Sequence, residues 1–267
     1  MRTAALIAAL AAASTAVGQV ALAAAARDED RPTAVVSPLQ ARIDAARPGD
    51  TVIVTAGVYR GELLVDKPLH VKGEGRPLLE GADHESVVRV RADGVTIEGL
   101  DIDGRRLGDL ARDTSGIHVA AKNVTVRDCR IRGTLFGIYL KEAHNARVEN
   151  NRIEGIPGLA PGEKGSGIHV WNTDGFHLEG NHVHAVRDGF YIQSSPHGVV
   201  VGNVASDLRY GLHYMFSDDN LFEENVFEGA DAGTALMYSK RITFRRNQFL
   251  HNRGFASVGL LFKECDD

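Results

Sequence analysis

The sequence predicts an all-β chain, a right-handed parallel β-helix, on three observations: a short repeat, a column of Asn at one point of it, and a Gly opening an apolar run at another. The Gly-led runs are Gly116-Ile-His-Val, Gly137-Ile-Tyr-Leu, Gly167-Ile-His-Val, Gly189-Phe-Tyr-Ile, Gly211-Leu-His-Tyr, Gly233-Thr-Ala-Leu and Gly259-Leu-Leu-Phe. The second column reads Leu100, Cys129, Asn151, Asn181, Asn203, Asn225 and Asn247. Gly to the next Asn is 14 residues in five consecutive coils, and that column to the next Gly is 8 where no loop intervenes, a unit of 22. Each unit holds two short strand-like runs, too short to bury a face alone. Stacking identical units pairs every backbone amide with the coil above or below. Identical Asn side chains stacked about 4.8 Å apart then hydrogen-bond along the axis. Cys129 takes an Asn slot and is expected as a buried, inert thiol. A leucine-rich horseshoe needs a Leu consensus and a propeller a four-strand repeat of about 40 residues; neither is present.

The ends have their own logic. Met1 to Ala26 reads as a cleaved secretory signal: Arg2, an apolar Ala4 to Ala13, Ala-x-Ala-like sites at Ala21-Leu-Ala23 and Ala24-Ala-Ala26, then the polar Arg27-Asp-Glu-Asp30. Ser14, Thr15, Gly18 and Gln19 interrupt the stretch, which argues against a membrane anchor. Export to a bacterial periplasm is the expectation, with the β-helix domain spanning residues 30–267. Ser37 caps a short helix with Pro38 at its first position, and Leu39, Ile43 and Ala46 share the face that covers the first coil. A Pro48-Gly-Asp50 turn leads to runs at Thr51–Val54, Leu63–Val65, Leu69–Val71 and Val95–Ile97. At the other end, Cys265-Asp-Asp267 matches Ser217-Asp-Asp219, where another strand follows. A chain truncated relative to its natural fold, or completed by another chain, is expected there.

Composition narrows function. Thirty Lys and Arg against 35 Asp and Glu give a net charge of −5, which argues against a nucleic-acid binder held by phosphate contacts. A chain 43% hydrophobic and 24% charged is not disordered. Two cysteines cannot staple its length, so stability comes from the core.

Strand alternation assigns the faces. Ile117, Ile138, Ile168, Phe190, Leu212 and Leu236 point inward, and His118, Tyr139, His169, Tyr191, His213 and Ala235 outward. Two residues on, the outward column reads Lys141, Trp171, Gln193, Met215 and Met237. A solvent-facing ladder of His, Tyr, Trp and Met is expected, and His118, Tyr139, His169, Trp171 and Tyr191 are its candidate docking face for a partner or ligand. Two insertions, Asp103 to Ser115 and Gly155 to Ser166, would stand as lips beside it.

Three chemistries compete as readings of this face. Met215 and Met237, 22 residues apart, stack in adjacent coils, and His213 precedes Met215 by two. Thioether and imidazole suit Cu(I), whereas no Cys-x-x-Cys or clustered carboxylates provide for zinc or calcium. The plainer reading is that these residues are hydrophobic anchors for a partner. A glycan-binding or glycan-processing protein is the alternative, because aromatic rings stack on sugars. Asn172-Thr-Asp-Gly175 looks like the first motif of polygalacturonases, yet Pro196 stands where their paired Asp is needed and Gly-His-Gly is absent. No nucleophile motif appears, so catalysis is not expected.

Tyr210-Gly-Leu-His-Tyr-Met-Phe-Ser-Asp-Asp-Asn220, Ala235-Leu-Met-Tyr-Ser239, Asn252-Arg-Gly254 and Gly259-Leu-Leu-Phe-Lys-Glu-Cys-Asp-Asp267 together resemble the NosD family, periplasmic accessory proteins of nitrous oxide reductase maturation. The likeness extends through Leu39-Gln40, Pro48-Gly-Asp50 and Gly57-Val-Tyr59, pieces shared by many β-helices of the carbohydrate-binding and sugar-hydrolase repeat class. The resemblance implies a copper-binding β-helix that works with an ABC-type transporter in assembling the reductase's copper centres. It implies as partners the transporter, the reductase or a copper chaperone. The ligand set His213, Met215 and Met237 comes from the ladder, not from the family.

Overall fold

A computed structural model describes residues 37–82, 85–106, 108–254 and 257–266. The expected signal peptide, 1–26, lies outside the described residues. The helix α1 (Pro38–Ala45) starts as the sequence dictates: the Ser37 side chain accepts from the Gln40 N–H at 3.1 Å, Pro38 opens the first turn, and Leu39 and Ile43 are buried. Gln40 fastens it to the first coil, donating to the Leu64 carbonyl at 3.0 Å and accepting from the Leu64 N–H at 2.8 Å.

Three nine-stranded parallel sheets run the length of the stack. Sheet A begins at Thr51–Thr55, sheet B at Val58–Arg60 and sheet C at Leu63–Val65, and each coil adds one strand to each. The sequence reading of two runs per coil is corrected to three. From Thr96–Glu98 and Asp101–Asp103 onward, sheets A and B are separated only by a two-residue turn, so their three-residue strands read as one run. The turn's first residue is left-handed, with φ of 54° at Asn150, 62° at Gly180 and 63° at Gly202, and this bends the chain between the sheets.

The Asn that follows each bend is buried and forms the expected ladder. Asn151 donates to Asn181, Asn181 to Asn203, Asn203 to Asn225 and Asn225 to Asn247, each through its backbone N–H and its side-chain amide. Cys129 occupies the next slot, its N–H donating to Asn151 Oδ1 at 3.0 Å. Burial pushes its thiol up to about 12, so it is inert at neutral pH. A second ladder of hydroxyls, not read from the sequence, joins Ala143, Thr173, Ser195, Ser217 and Ser239, each N–H donating to the next hydroxyl.

The Gly that opens each sheet C strand answers to close approach. A Cβ on Gly189 would lie 2.7 Å from the Gly211 carbonyl oxygen and 2.8 Å from Ala205 Cβ. The inward residues Ile117, Ile138, Ile168, Phe190 and Leu212 are fully buried, with Ile131, Ile153 and Val183 of sheet B across from them. Both insertions stand before sheet C, carrying 3-10 turns at Leu110–Arg112 and Pro161–Glu163. Arg106 of the first donates to the Pro157 carbonyl of the second at 2.9 Å. Between them lies an open groove of about 760 Å³ lined by Leu110, Leu135, Ile156 and Leu159.

Candidate functional site

Sheet C brings the predicted outward column together. Parallel register pairs His118 with Tyr139, Tyr139 with His169, His169 with Tyr191, and Tyr191 with His213. The rings close on one another: centroids of Tyr139 and His169 are 4.3 Å apart at 9°, and those of His169 and Tyr191 4.3 Å apart at 19°. His118 stacks below at 5.3 Å and His213 meets Tyr191 edge-on at 4.8 Å. The spacing of strands is close to the thickness of stacked rings, so each ring covers its neighbour.

This corrects the solvent-facing ladder in part: Tyr139 is only 6% exposed, because the stacked rings on either side cover it, and Ala235 is 2% exposed, whereas His118, His169, Tyr191 and His213 stay partly exposed. Phe136 adds an edge against both Tyr139 and His169. Burial lowers the His169 imidazole from 6.5 to about 3, and burial, with Lys141 nearby, lowers His118. His169 Nδ1 is buried without a hydrogen-bond partner among the described residues. Trp171 sits in the second column, half-buried, with Lys141 Nζ 5.5 Å from its ring centre.

The C-terminal half of the face is different chemistry. Met215 and Met237 are register partners on adjacent strands, Tyr210–Met215 and Ala232–Met237, and both remain partly exposed. Tyr191 points its hydroxyl at Met215 Sδ, 3.9 Å away, and donates to Gln193 Oε1 at 2.8 Å. His213 lies on the same strand and face as Met215, but its register partner toward Met237 is Ala235. Its Nδ1 is turned instead to Asp188, 3.2 Å from Oδ2. Arg209 Nη2 also stands 3.3 Å from that Nδ1, and Nε2 is the nitrogen with no hydrogen bond among the described residues.

Asp188 was not read from the sequence. It is 2% exposed and held by Nε and Nη2 of Arg209, at 2.9 and 2.6 Å. Burial alone would raise its carboxyl, but the bonds and charges of His213 and Arg209 outweigh that and hold it below the usual carboxylate range. Phe216 and Tyr238 were also missed. They directly follow Met215 and Met237, and alternation would send them inward. Left-handed backbone, φ 52° and 55°, swings them out instead, where their rings stack at 5.0 Å and 7°. Phe216 is 53% exposed, and Lys263 Nζ lies 5.1 Å from the Tyr238 ring centre. The signal that could have found them is their own 22-residue spacing.

Among the described residues no group of three His, Cys, Asp or Glu side chains is placed to hold a metal ion. The donors that sheet C does align are thioethers, which that set leaves out. Asp174 of the polygalacturonase-like motif is tied up by His197 Nδ1 at 2.7 Å.

Fold and face together define a right-handed parallel β-helix with a packed His/Tyr spine and a Met-rich end. Residues 156–267 match the family described as "Periplasmic copper-binding protein (NosD)". The chain is thus similar to the NosD family over those residues, in line with the sequence resemblance. It is 34% identical over 140 residues to a probable ABC transporter binding protein NosD of Pseudomonas aeruginosa, covering 51% of this chain and 32% of that one. A protein of the same name from Stutzerimonas stutzeri is 31% identical over 136 residues, 50% of this chain and 31% of that one. The matched part therefore spans about a third of the length of these curated relatives.

Among solved structures, a polygalacturonase from Erwinia carotovora superposes with a TM-score of 0.67 at 10% identity, covering 88% of this chain and 91% of its own. An alginate lyase from Paenibacillus gives 0.63 at 16% identity, covering 86% and 96%. At such identities these matches establish the fold alone. Among the described residues no helix is long and apolar enough to cross a membrane.

Proposed function

We propose that this chain is a periplasmic accessory protein in copper-site maturation of nitrous oxide reductase, acting beside an ABC-type transporter and handling Cu(I) as cargo rather than catalysing a reaction. The observation that carries the reading is the register pairing of Met215 with Met237, inside the segment that matches the periplasmic copper-binding family. Two thioethers on one face suit Cu(I) and reject harder ions. His213 adds Nε2 from the same strand, with Asp188 fixing its other nitrogen. The exposed Phe216–Tyr238 pair beside the methionines, with Trp171 farther along, supplies the anchors for a copper chaperone, the reductase or the transporter. The curated relatives are named as ABC transporter binding proteins, which supports that partnership. The glycan alternative is disfavoured on this column, because the faces of Tyr139, His169 and Tyr191 lie on one another and leave none for a sugar ring.

The test is made in cells that assemble the reductase. Met215→Leu with Met237→Leu should leave the accessory protein at its normal level and yield purified reductase with reduced copper content. Reductase fully loaded with copper overturns the reading.

A further inference from the structure

On the opposite side of the coil from any role of sheet C, sheet B carries a second surface. Its outward column, read strand by strand along the axis, is Leu78, Asp101, Arg130, Arg152, His182 and Val204, each in register with the next. Arg130 and Arg152 are thus like charges directly opposite on adjacent strands, an arrangement that destabilises a sheet. Both side chains are exposed, and neither guanidinium has an ion-pair, hydrogen-bond or ring partner among the described residues. Two of the nearby carboxylates are already engaged, Asp101 by Arg76 at 2.6 Å and Asp103 by Arg132 at 2.9 Å, and the third, Glu154, pairs with neither Arg130 nor Arg152.

Two open pockets meet along this column. One, of about 230 Å³, runs from Leu78 and Asp101 to Arg152; the other, of about 390 Å³, runs from Arg152 through His182 to Val204 and Ser206. They share Arg152 and Glu154, so the groove follows the solenoid axis across six strands, on the order of 25 Å.

We infer that this groove binds a linear acidic polysaccharide, its carboxylates taken by Arg130 and Arg152 and its hydroxyls by Glu154. Paired guanidiniums without counter-ions match carboxylates presented in series, with bidentate geometry available to each. Single-stranded nucleic acid needs stacking platforms, and the groove offers no Phe, Tyr or Trp. A docked protein is anchored at the centre of its interface by aromatic or large apolar side chains, whereas the outward apolar residues of this groove, Leu78 and Val204, stand at its two ends and its centre is charged. Glu154, exposed and without a partner among the described residues, repels a bare polyanion but accepts hydrogen bonds from hydroxyls, which an acidic sugar brings.

The full chain is titrated with a short oligogalacturonate, a neutral oligosaccharide of equal length, inorganic phosphate and a poly-glutamate peptide. The acidic sugar alone should bind, and Arg130→Gln with Arg152→Gln should weaken it about tenfold or more with no fall in melting temperature, since the variant also relieves the like-charge pair. Glu154→Ala should weaken it too, whereas Met215→Leu with Met237→Leu should not, which separates this groove from the copper reading. No binding, equal binding by the double Arg variant, equal binding of the peptide or phosphate, or tighter binding by Glu154→Ala overturns the proposal.

Discussion

Asn203 Oδ1 accepts two hydrogen bonds from Asn181, from its backbone N–H and from its side-chain amide, each at 2.9 Å. The Asn203 amide in turn donates to the Leu178 carbonyl at 3.0 Å and to Asn225 at 2.9 Å. One side chain therefore satisfies buried groups in the coils on either side of its own. Asn203→Ala strands at least two of them in the core, at about 1–3 kcal/mol each. A loss of about 3 kcal/mol or more in urea unfolding is expected. Asn247→Ala, at the less buried end of the ladder, should lose less. A change under about 1 kcal/mol for Asn203→Ala would contradict this account of the turn.

This ladder was legible in the sequence because each Asn repeats at a fixed distance from an equally periodic Gly. The capping helix was legible too, from Ser37, Pro38 and the spacing of Leu39 and Ile43. What alternation could not convey is what lies across from an outward side chain. It placed Tyr139 outside correctly, but the neighbouring coils supply the rings that bury it. Phe216 and Tyr238 escaped because one left-handed residue after the strand resets the alternation. Asp188 escaped because its partners, Arg209 and His213, come from the following coil.

The His/Tyr spine makes stability depend on pH. The His169 imidazole protonates near 6.5 when unfolded and near 3 when folded, so the unfolded state binds more protons between those values. Stability must fall as pH drops through that window, and His118 acts in the same direction. Asp188, with its folded carboxyl depressed, contributes stability above the ordinary carboxylate range that is lost as pH falls through its folded value. His169→Phe keeps a ring in the stack and removes the unpaired Nδ1. Its urea midpoint should fall less than that of wild type between neutral pH and the upper carboxylate range. Parallel pH profiles would remove His169 from the explanation.

The two cysteines should differ in reactivity. Cys129 is buried with its thiol raised to about 12, whereas Cys265 is partly exposed. A thiol reagent at neutral pH should label Cys265 in the native protein and both cysteines only after unfolding. Native labelling of Cys129 would show that its slot in the ladder opens to solvent.

The Phe216–Tyr238 pair tests docking apart from folding. Phe216 is half-exposed in left-handed backbone, a conformation that Asn tolerates well. Phe216→Asn should therefore change stability by less than about 1 kcal/mol. Association with the transporter or the copper donor should weaken markedly, and Trp171→Ala should weaken it further. Unchanged co-purification of the double variant would move the interface elsewhere.

Cu(I) binding by the purified chain, measured in competition with a chromogenic Cu(I) chelator under reducing, anaerobic conditions, tests the central claim most directly. Met215 and Met237 stand in register on adjacent strands, and neither helps form the core, so replacing both with Leu leaves the fold intact. The account predicts that wild type withdraws Cu(I) from the chelator, that Met215→Leu with Met237→Leu does so at least about tenfold less tightly, and that the two proteins melt alike. Equal competition by wild type and the double variant, or no competition by either, would contradict it.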